Sequence, residues 1–197
     1  MTLRERKQQR ARDEIVAAAY ELFAQRGYAD VTVADIAERA EVGRTTFFRY
    51  FGDKQEVVFA NEQQWLDDIS RRHRALQPAK PPALAGTLSL LRGTAAELCA
   101  QATKDPDHYR RRERLIAENP ELGDRAARKQ RRLAEALTEI LLEQGASAAT
   151  AALAPRIAIA CYGAGHEVAA GDPKALGDAV AAAFDQLGIA PPEVTPA

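Results

Sequence analysis

Residues 32–54, TVADIAERAEVGRTTFFRYFGDK, limit the fold more than any other stretch of the chain. Thr32 has the chemistry of a helix N-cap, and Asp35 three residues on completes a capping-box pattern that also suits the positive end of a helix dipole. Ile36, Ala37 and Ala40 supply the inner face of a short helix. Glu41-Val42-Gly43 makes the turn, with Val42 pointing inward. A second short helix then runs from Arg44 to Phe51 before Gly52-Asp53 breaks it. Asp53 caps a further helix that starts at Lys54. Two short helices joined by so tight a turn define a helix-turn-helix, whose second helix has the dimensions to enter a DNA major groove.

The side chains of that second helix suit such a surface. Arg44 presents a guanidinium fork matched to the two acceptors of guanine. Thr45 and Thr46 each offer a hydroxyl for a base or phosphate and a methyl for thymine. Arg49 and Tyr50 sit further along, within reach of phosphate or a flanking base. Lys54 opens the next helix, where its charge and the free backbone N–H groups favour a phosphate. Thr32 can give its hydroxyl to the backbone across the groove. Phe47 and Phe51 anchor the helix from behind, against Ile36, Ala37 and Leu22. No acid occurs between Arg44 and Tyr50, whereas a helical hairpin that merely faces water has no reason to exclude one.

Charge matters here only locally. The chain of 197 residues has a net charge of −1, yet Arg4, Arg6, Lys7, Arg10 and Arg12 stand against Glu5 alone at its start. A basic arm on a neutral protein points to a local polyanion contact; a solvated helix start is the alternative. Hydrophobic residues make up 46% and charged residues 28%, which excludes wholesale disorder. Cys99 and Cys161 have no disulfide or zinc spacing, and buried free thiols fit a reducing compartment. His73, His108 and His166 have no metal-site spacing with them or with one another. No secretory pattern or membrane-spanning run occurs, so the expected location is cytoplasmic, with no membrane partner.

Elsewhere apolar residues recur at three and four positions, and no alternating strand pattern of useful length occurs. The expected fold class is all-α, with about nine helices. The first covers residues 10–26, with Ile15, Ala18, Ala19, Leu22 and Phe23 inward and Gly27 as its stop. A long helix over 54–77 ends at the proline-rich loop 78–82. Helices follow over 84–103, 106–118 (opened by Asp105-Pro106), 120–144, 150–170 and 173–187. Gly171-Asp172-Pro173 supplies stop, cap and first-turn signals for the last. The expected organisation is an arm and DNA-binding head over 1–53, a ligand-binding and dimerisation body over 54–190, and a disordered tail over 191–197.

Ile15, Ala18-Ala19, Leu22-Phe23, Gly27, Thr32-Val33, Ile36-Ala37, Ala40, Val42, Thr46, Phe48, Tyr50-Phe51 and Lys54 together resemble the head of the tetracycline-repressor (TetR) family of transcriptional regulators. The resemblance covers about residues 10–57. It implies DNA contacts at Thr32, Arg44, Thr45, Thr46, Arg49, Tyr50 and Lys54. Phe48 stands where the family has a phosphate-reaching tyrosine and is left with van der Waals contact. Two further departures occur. Glu41 replaces the usual turn glycine, at a cost of order 1 kcal/mol if φ stays positive. Gly43 replaces the frequent N-cap serine, at a few tenths of a kcal/mol.

The resemblance also implies a homodimer formed through the last two helices, about residues 150–187, on a pseudo-palindromic double-stranded DNA operator. It implies too a small-molecule effector held among the middle helices, whose binding tilts the helix that starts at Lys54. Candidate pocket residues are Trp65, Ile69 and His73 on one helix, with Leu88, Leu91, Cys99, Tyr109, Leu115, Leu137 and Tyr162 on others; each can equally be plain core. The basic run Arg110, Arg111, Arg112 and Arg114 suits an anion or a solvated face. No cofactor is expected. The leading expectation is a ligand-released repressor. A constitutive DNA-binding regulator without effector is the alternative. An enzyme is the remote one, since no nucleophile–base pair or phosphate-cradling loop occurs.

Overall fold

The computed structural model describes residues 3–192, apart from the side chains of 3–5 and 61–63. Among the described residues it is all helix and turn, with no strand and ten helices. These are α1 (Leu3–Arg26), α2 (Val33–Arg39), α3 (Arg44–Tyr50), α4 (Lys54–Val58), α5 (Ala60–Ala75), α6 (Leu84–Ala102), α7 (Pro106–Glu118), α8 (Pro120–Glu143), α9 (Ala148–Ala169) and α10 (Leu176–Asp185). The chain divides into two compact units, Met1–Gln64 and Trp65–Ala197.

Four boundaries differ from expectation. The basic segment is helical from Leu3, so it extends α1 rather than forming a separate arm. The single helix expected over 54–77 is two, because Phe59 caps α4 with φ −103° and ψ 20°. That buried phenylalanine ends a helix without glycine or proline, which is why no sequence signal marks it. Ser147 caps α9, accepting a hydrogen bond from the Thr150 N–H, so the helix begins earlier than 150. Residues 173–175 form turns, and the last helix begins only at Leu176.

In the first unit α1 packs on α2 and α4, and α2 on α3. The buried set includes Ile15, Leu22, Phe23, Ile36, Phe47, Phe51 and Val57. In the second unit one core joins Ile69 of α5, Leu88, Leu91 and Cys99 of α6, Tyr109 of α7, Leu137 and Ile140 of α8, Ala154 and Cys161 of α9, and Val180 and Phe184 of α10. Pro155 sits inside α9, fully buried, and removes one backbone donor from that helix.

The alanine- and glycine-rich character of α9 has a local cause. A methyl group on Gly165 would lie 2.4 Å from the Cα of Val180. Glycine therefore lets the α9 and α10 backbones touch within one chain. The segment after α10 is ordered as far as it is described. Ile189 is buried, Arg92 donates to its carbonyl and, at 2.6 Å, to Asp185, and Pro192 lies against Gly93. Of the tail expected over 191–197, residues 193–197 lie outside the described residues.

A polar tie crosses the core between α7 and α9. Glu113 is buried, and His166 Nε2 lies 2.6 Å from its Oε2. Burial alone would raise the carboxyl pKa, but hydrogen bonds from His166 and Arg112 outweigh it and hold Glu113 below the usual glutamate range.

Two outcomes are expected in urea unfolding. Gly165→Ala should destabilise the body by about 1–3 kcal/mol, because the Val180 backbone cannot yield as a side chain would. Glu113 contributes stability that is full above the ordinary glutamate pKa and lost as pH falls through its lower folded value. Glu113→Gln should therefore weaken the protein at neutral pH and flatten the acid limb of its stability curve.

Candidate nucleic-acid interface

The helix-turn-helix is held by backbone grammar first. The Thr32 hydroxyl accepts from the Asp35 N–H at 3.2 Å, while the Thr32 N–H donates to the Asp35 carboxylate at 2.8 Å. The expected capping box is present in full. These hydrogen bonds from Thr32 hold the Asp35 carboxyl below its usual pKa, and Arg26 approaches it at 3.3 Å. The Thr32 hydroxyl also donates to Asp35, so a phosphate would have to compete with that carboxylate for it.

The turn keeps positive φ at the residue where sequence raised the question. Glu41 has φ 53°. Its N–H donates to the Glu38 carbonyl at 3.0 Å, and the Val42 N–H donates to the Ala37 carbonyl at 2.9 Å. This is the paired closure of a Schellman motif, which glycine suits best. The turn has not shifted, and glutamate bears the left-handed conformation. Gly43 caps α3 with extended backbone and no side-chain bond.

On α3, Phe47 is 0% exposed and turns the opposite face outward. Arg44, Thr45, Phe48 and Arg49 are exposed, and Thr46 and Tyr50 are half-buried. Residues 44, 45, 48 and 49 fall on one side of a helix of 3.6 residues per turn. Phe48 leaves half of its area in solvent, at 50%, with its ring edge-on to Phe47. The Arg49 guanidinium stacks 5.1 Å above the Tyr50 ring, which steadies both side chains.

Two cations expected at the phosphates have partners within the head. Lys54 donates to the carbonyls of Tyr28 at 2.8 Å, Val31 at 3.0 Å and Ala29 at 3.3 Å. Arg12 folds over the Phe51 ring at 4.9 Å and donates to the Ala60 carbonyl. Arg10 pairs with Glu14 at 2.9 Å, whereas Arg6 and Lys7 are exposed on α1. The Arg4 side chain lies outside the described residues.

The ten expected pocket residues lie in different surroundings. Trp65 and Ile69 line an open groove of 670 Å³ between α5 and α6. Its other wall is Thr94, Glu97, Leu98 and Gln101, a stripe at helical spacing that sequence reasoning did not select. Arg71–Asp68 (2.8 Å) and Arg72–Glu97 (2.6 Å) form its rim. His73 is buried, which lowers its pKa, and its Nε2 lies 3.0 Å from the Thr94 hydroxyl. Leu88, Leu91, Cys99, Tyr109 and Leu137 are core, packed together with Ile69. Burial pushes the Cys99 thiol up to about 11 and the Tyr109 phenol well above its ordinary value. Leu115 and Tyr162 are half-buried, the latter stacked on His166. Among the described residues no group of three His, Cys, Asp or Glu side chains could hold a metal, and no helix is long and apolar enough to cross a membrane.

Comparison with known proteins agrees with this geometry. Residues 15–60 match the family described as bacterial regulatory proteins, tetR family. The HTH-type transcriptional regulator TcmR of Streptomyces glaucescens is 50% identical over 56 residues, covering 28% of this chain and 25% of that protein. The chain thus spans about a quarter of the length of the curated relatives it matches first. Among solved structures, the SmeT–triclosan complex superposes with a TM-score of 0.60 at 18% identity, covering 95% of this chain and 97% of that one. Thermus thermophilus FadR, a TetR-family transcriptional repressor in complex with lauroyl-CoA, does so with 0.53 at 24% identity, covering 94% and 99%. These two likenesses establish the fold. Over its head, then, the chain is similar to the TetR family of bacterial regulatory proteins, with α3 as the second helix of the helix-turn-helix.

Relief of the turn is measurable. Glu41→Gly should raise the stability of the head by about 1 kcal/mol in thermal or urea unfolding. An unchanged or lower midpoint would show that glutamate is not strained there.

Proposed function

We propose that the chain is a DNA-binding transcriptional repressor that acts as a homodimer in the cytoplasm, is released by a small-molecule effector and catalyses no reaction. The observation that carries this reading is the outward face of α3. Arg44, Thr45, Phe48 and Arg49 are exposed together, no acid lies among them, and Phe47 fixes the helix from behind. Arg44 and the two threonines read bases, and Phe48 adds van der Waals contact. Arg49, Tyr50, the Thr32 helix start and the exposed arm cations meet phosphate.

One head covers half a site, so useful affinity needs two, related by a dyad that the operator mirrors. The exposed side of α9 suits a symmetric contact: Leu153 is 47% and Val168 77% exposed, with Ala160 and Ala164 between them. Gly165 is already used within the chain, so the dimer rests on this outer stripe and on α10. The groove beside Trp65 is the proposed effector site, and effector and DNA affinities are then reciprocally coupled. The packed core around Leu88, Leu91 and Tyr109 supports the second reading, a constitutive regulator with no effector.

Selection of duplexes from a random pool should yield a pseudo-palindrome; no enrichment at low salt would remove the DNA-binding reading. Arg44→Ala should relax sequence choice by about 1–3 kcal/mol at one position of each half-site. Val168→Glu should shift sedimentation from dimer to monomer. Trp65 is the chain's single tryptophan, so an effector that raises the melting temperature should also change its emission. Stabilisation without an emission change would place the effector elsewhere.

A further inference from the structure

Basic residues near a DNA-binding helix are ordinarily assigned to phosphates. The structure gives two of them other partners. The Lys54 ammonium has three protons to donate and three backbone carbonyls within reach, those of Tyr28, Ala29 and Val31. The Tyr28 ring lies 4.3 Å below it and adds a cation–π contact. Those carbonyls belong to the loop that runs directly into Thr32, the cap of α2. Moving Lys54 out to a phosphate would strand the carbonyls and release the loop.

Arg12 performs the matching task at the other end of the motif. Its guanidinium covers the ring of Phe51, the C-cap of α3, whose N–H donates to Phe47 at 2.9 Å. Arg12 also donates to the carbonyl of Ala60, the residue after the break at Phe59. Its Nε is buried with no partner, so the side chain is committed inward even at a cost. Lys54 fixes where α2 begins, and Arg12 fixes where α3 ends.

We propose that Arg12 and Lys54 are positioning residues that set the pose of the recognition helix, and are not phosphate contacts. This rests on the DNA-binding function proposed above. It assigns their effect to sequence discrimination rather than to general attraction for DNA. A phosphate contact adds its share to binding on every sequence and to the salt dependence. A positioning residue matters only where α3 must meet particular base edges.

The test uses the full chain, the duplex that the wild type selects, and a random-sequence duplex of equal length, each titrated across salt concentrations. Arg12→Met and Lys54→Met should each weaken the selected duplex about tenfold or more. Binding to the random duplex and the slope of log K against log salt should stay unchanged. Arg6→Ala, on the exposed side of α1, should weaken both duplexes alike and reduce the slope by about 0.9 per head. A slope reduced in the same way by the Met variants, with equal loss on both duplexes, would overturn the proposal. So would folded Met variants that bind as the wild type does. If circular dichroism shows either Met variant unfolded, Arg12→Lys and Lys54→Arg decide. Both keep the charge, so retained affinity for the selected duplex refutes positioning, and a selective loss supports it. A wild type that selects no duplex removes the DNA-binding function itself, and this inference with it.

Discussion

A helix of seven residues cannot hold itself. Nucleation is unfavourable, and so short a segment closes too few hydrogen bonds to compensate. The recognition helix α3 therefore exists because Phe47 is buried beneath it. Fully burying such a side chain is worth roughly 1.5–3 kcal/mol. Everything that faces outward from α3 depends on that one inward residue. The surrounding devices refine its pose: the capping box at Thr32, the Schellman closure at Glu41, the Arg12 cover on Phe51 and the Lys54 cradle.

The features legible in sequence share a physical trait: they are local and their geometry follows from residue type. Thr32 with Asp35, Asp53 and Asp105 accept hydrogen bonds from the helices they begin, and Gly27 and Gly145 take the positive φ expected of stops. Phe47 and Phe51 turn inward and pack against each other, as their size and spacing of four predict. The features that were not legible depend on where a long side chain goes, or on packing at a distance. Lysine and arginine carry about four flexible torsions each, and one composition serves a phosphate or a backbone carbonyl equally well. Phe59, buried, caps α4 with no breaker residue to announce it. The Ile189 anchor becomes apparent only once α6 lies beneath it.

Glycine shows the same division. At 165 the small side chain could serve a second subunit or the neighbouring helix, and sequence has no means of choosing. The 2.4 Å approach to the Val180 Cα assigns it to the chain's own α10. The pocket residues divide likewise. Hydrophobic spacing places Leu88, Leu91 and Leu137 inward, but a filled core and a ligand cavity produce the same spacing. Trp65, with Ile69, opens onto a groove. A groove lined on its far wall by Thr94, Glu97 and Gln101 escapes a search confined to apolar and aromatic positions.

The distribution of positive charge then bears on affinity. Besides Arg26, which pairs with Asp35, the outward cations of α1 and α3 whose side chains are described are Arg6, Lys7, Arg44 and Arg49, with Arg10 shared with Glu14. Phe48 contributes no hydroxyl, and the Thr32 hydroxyl is occupied by Asp35. A head with so small a phosphate grip gains little from non-specific attraction, since that attraction scales with the number of phosphates neutralised. On the DNA-binding function proposed above, its affinity has to come from base contacts made in the correct pose and from a second head acting at the same time. Cations spent inside the fold and the proposed dimer thus answer to one constraint. On that reading general attraction for DNA is given up, and precision of pose, doubled in the proposed dimer, has to replace it.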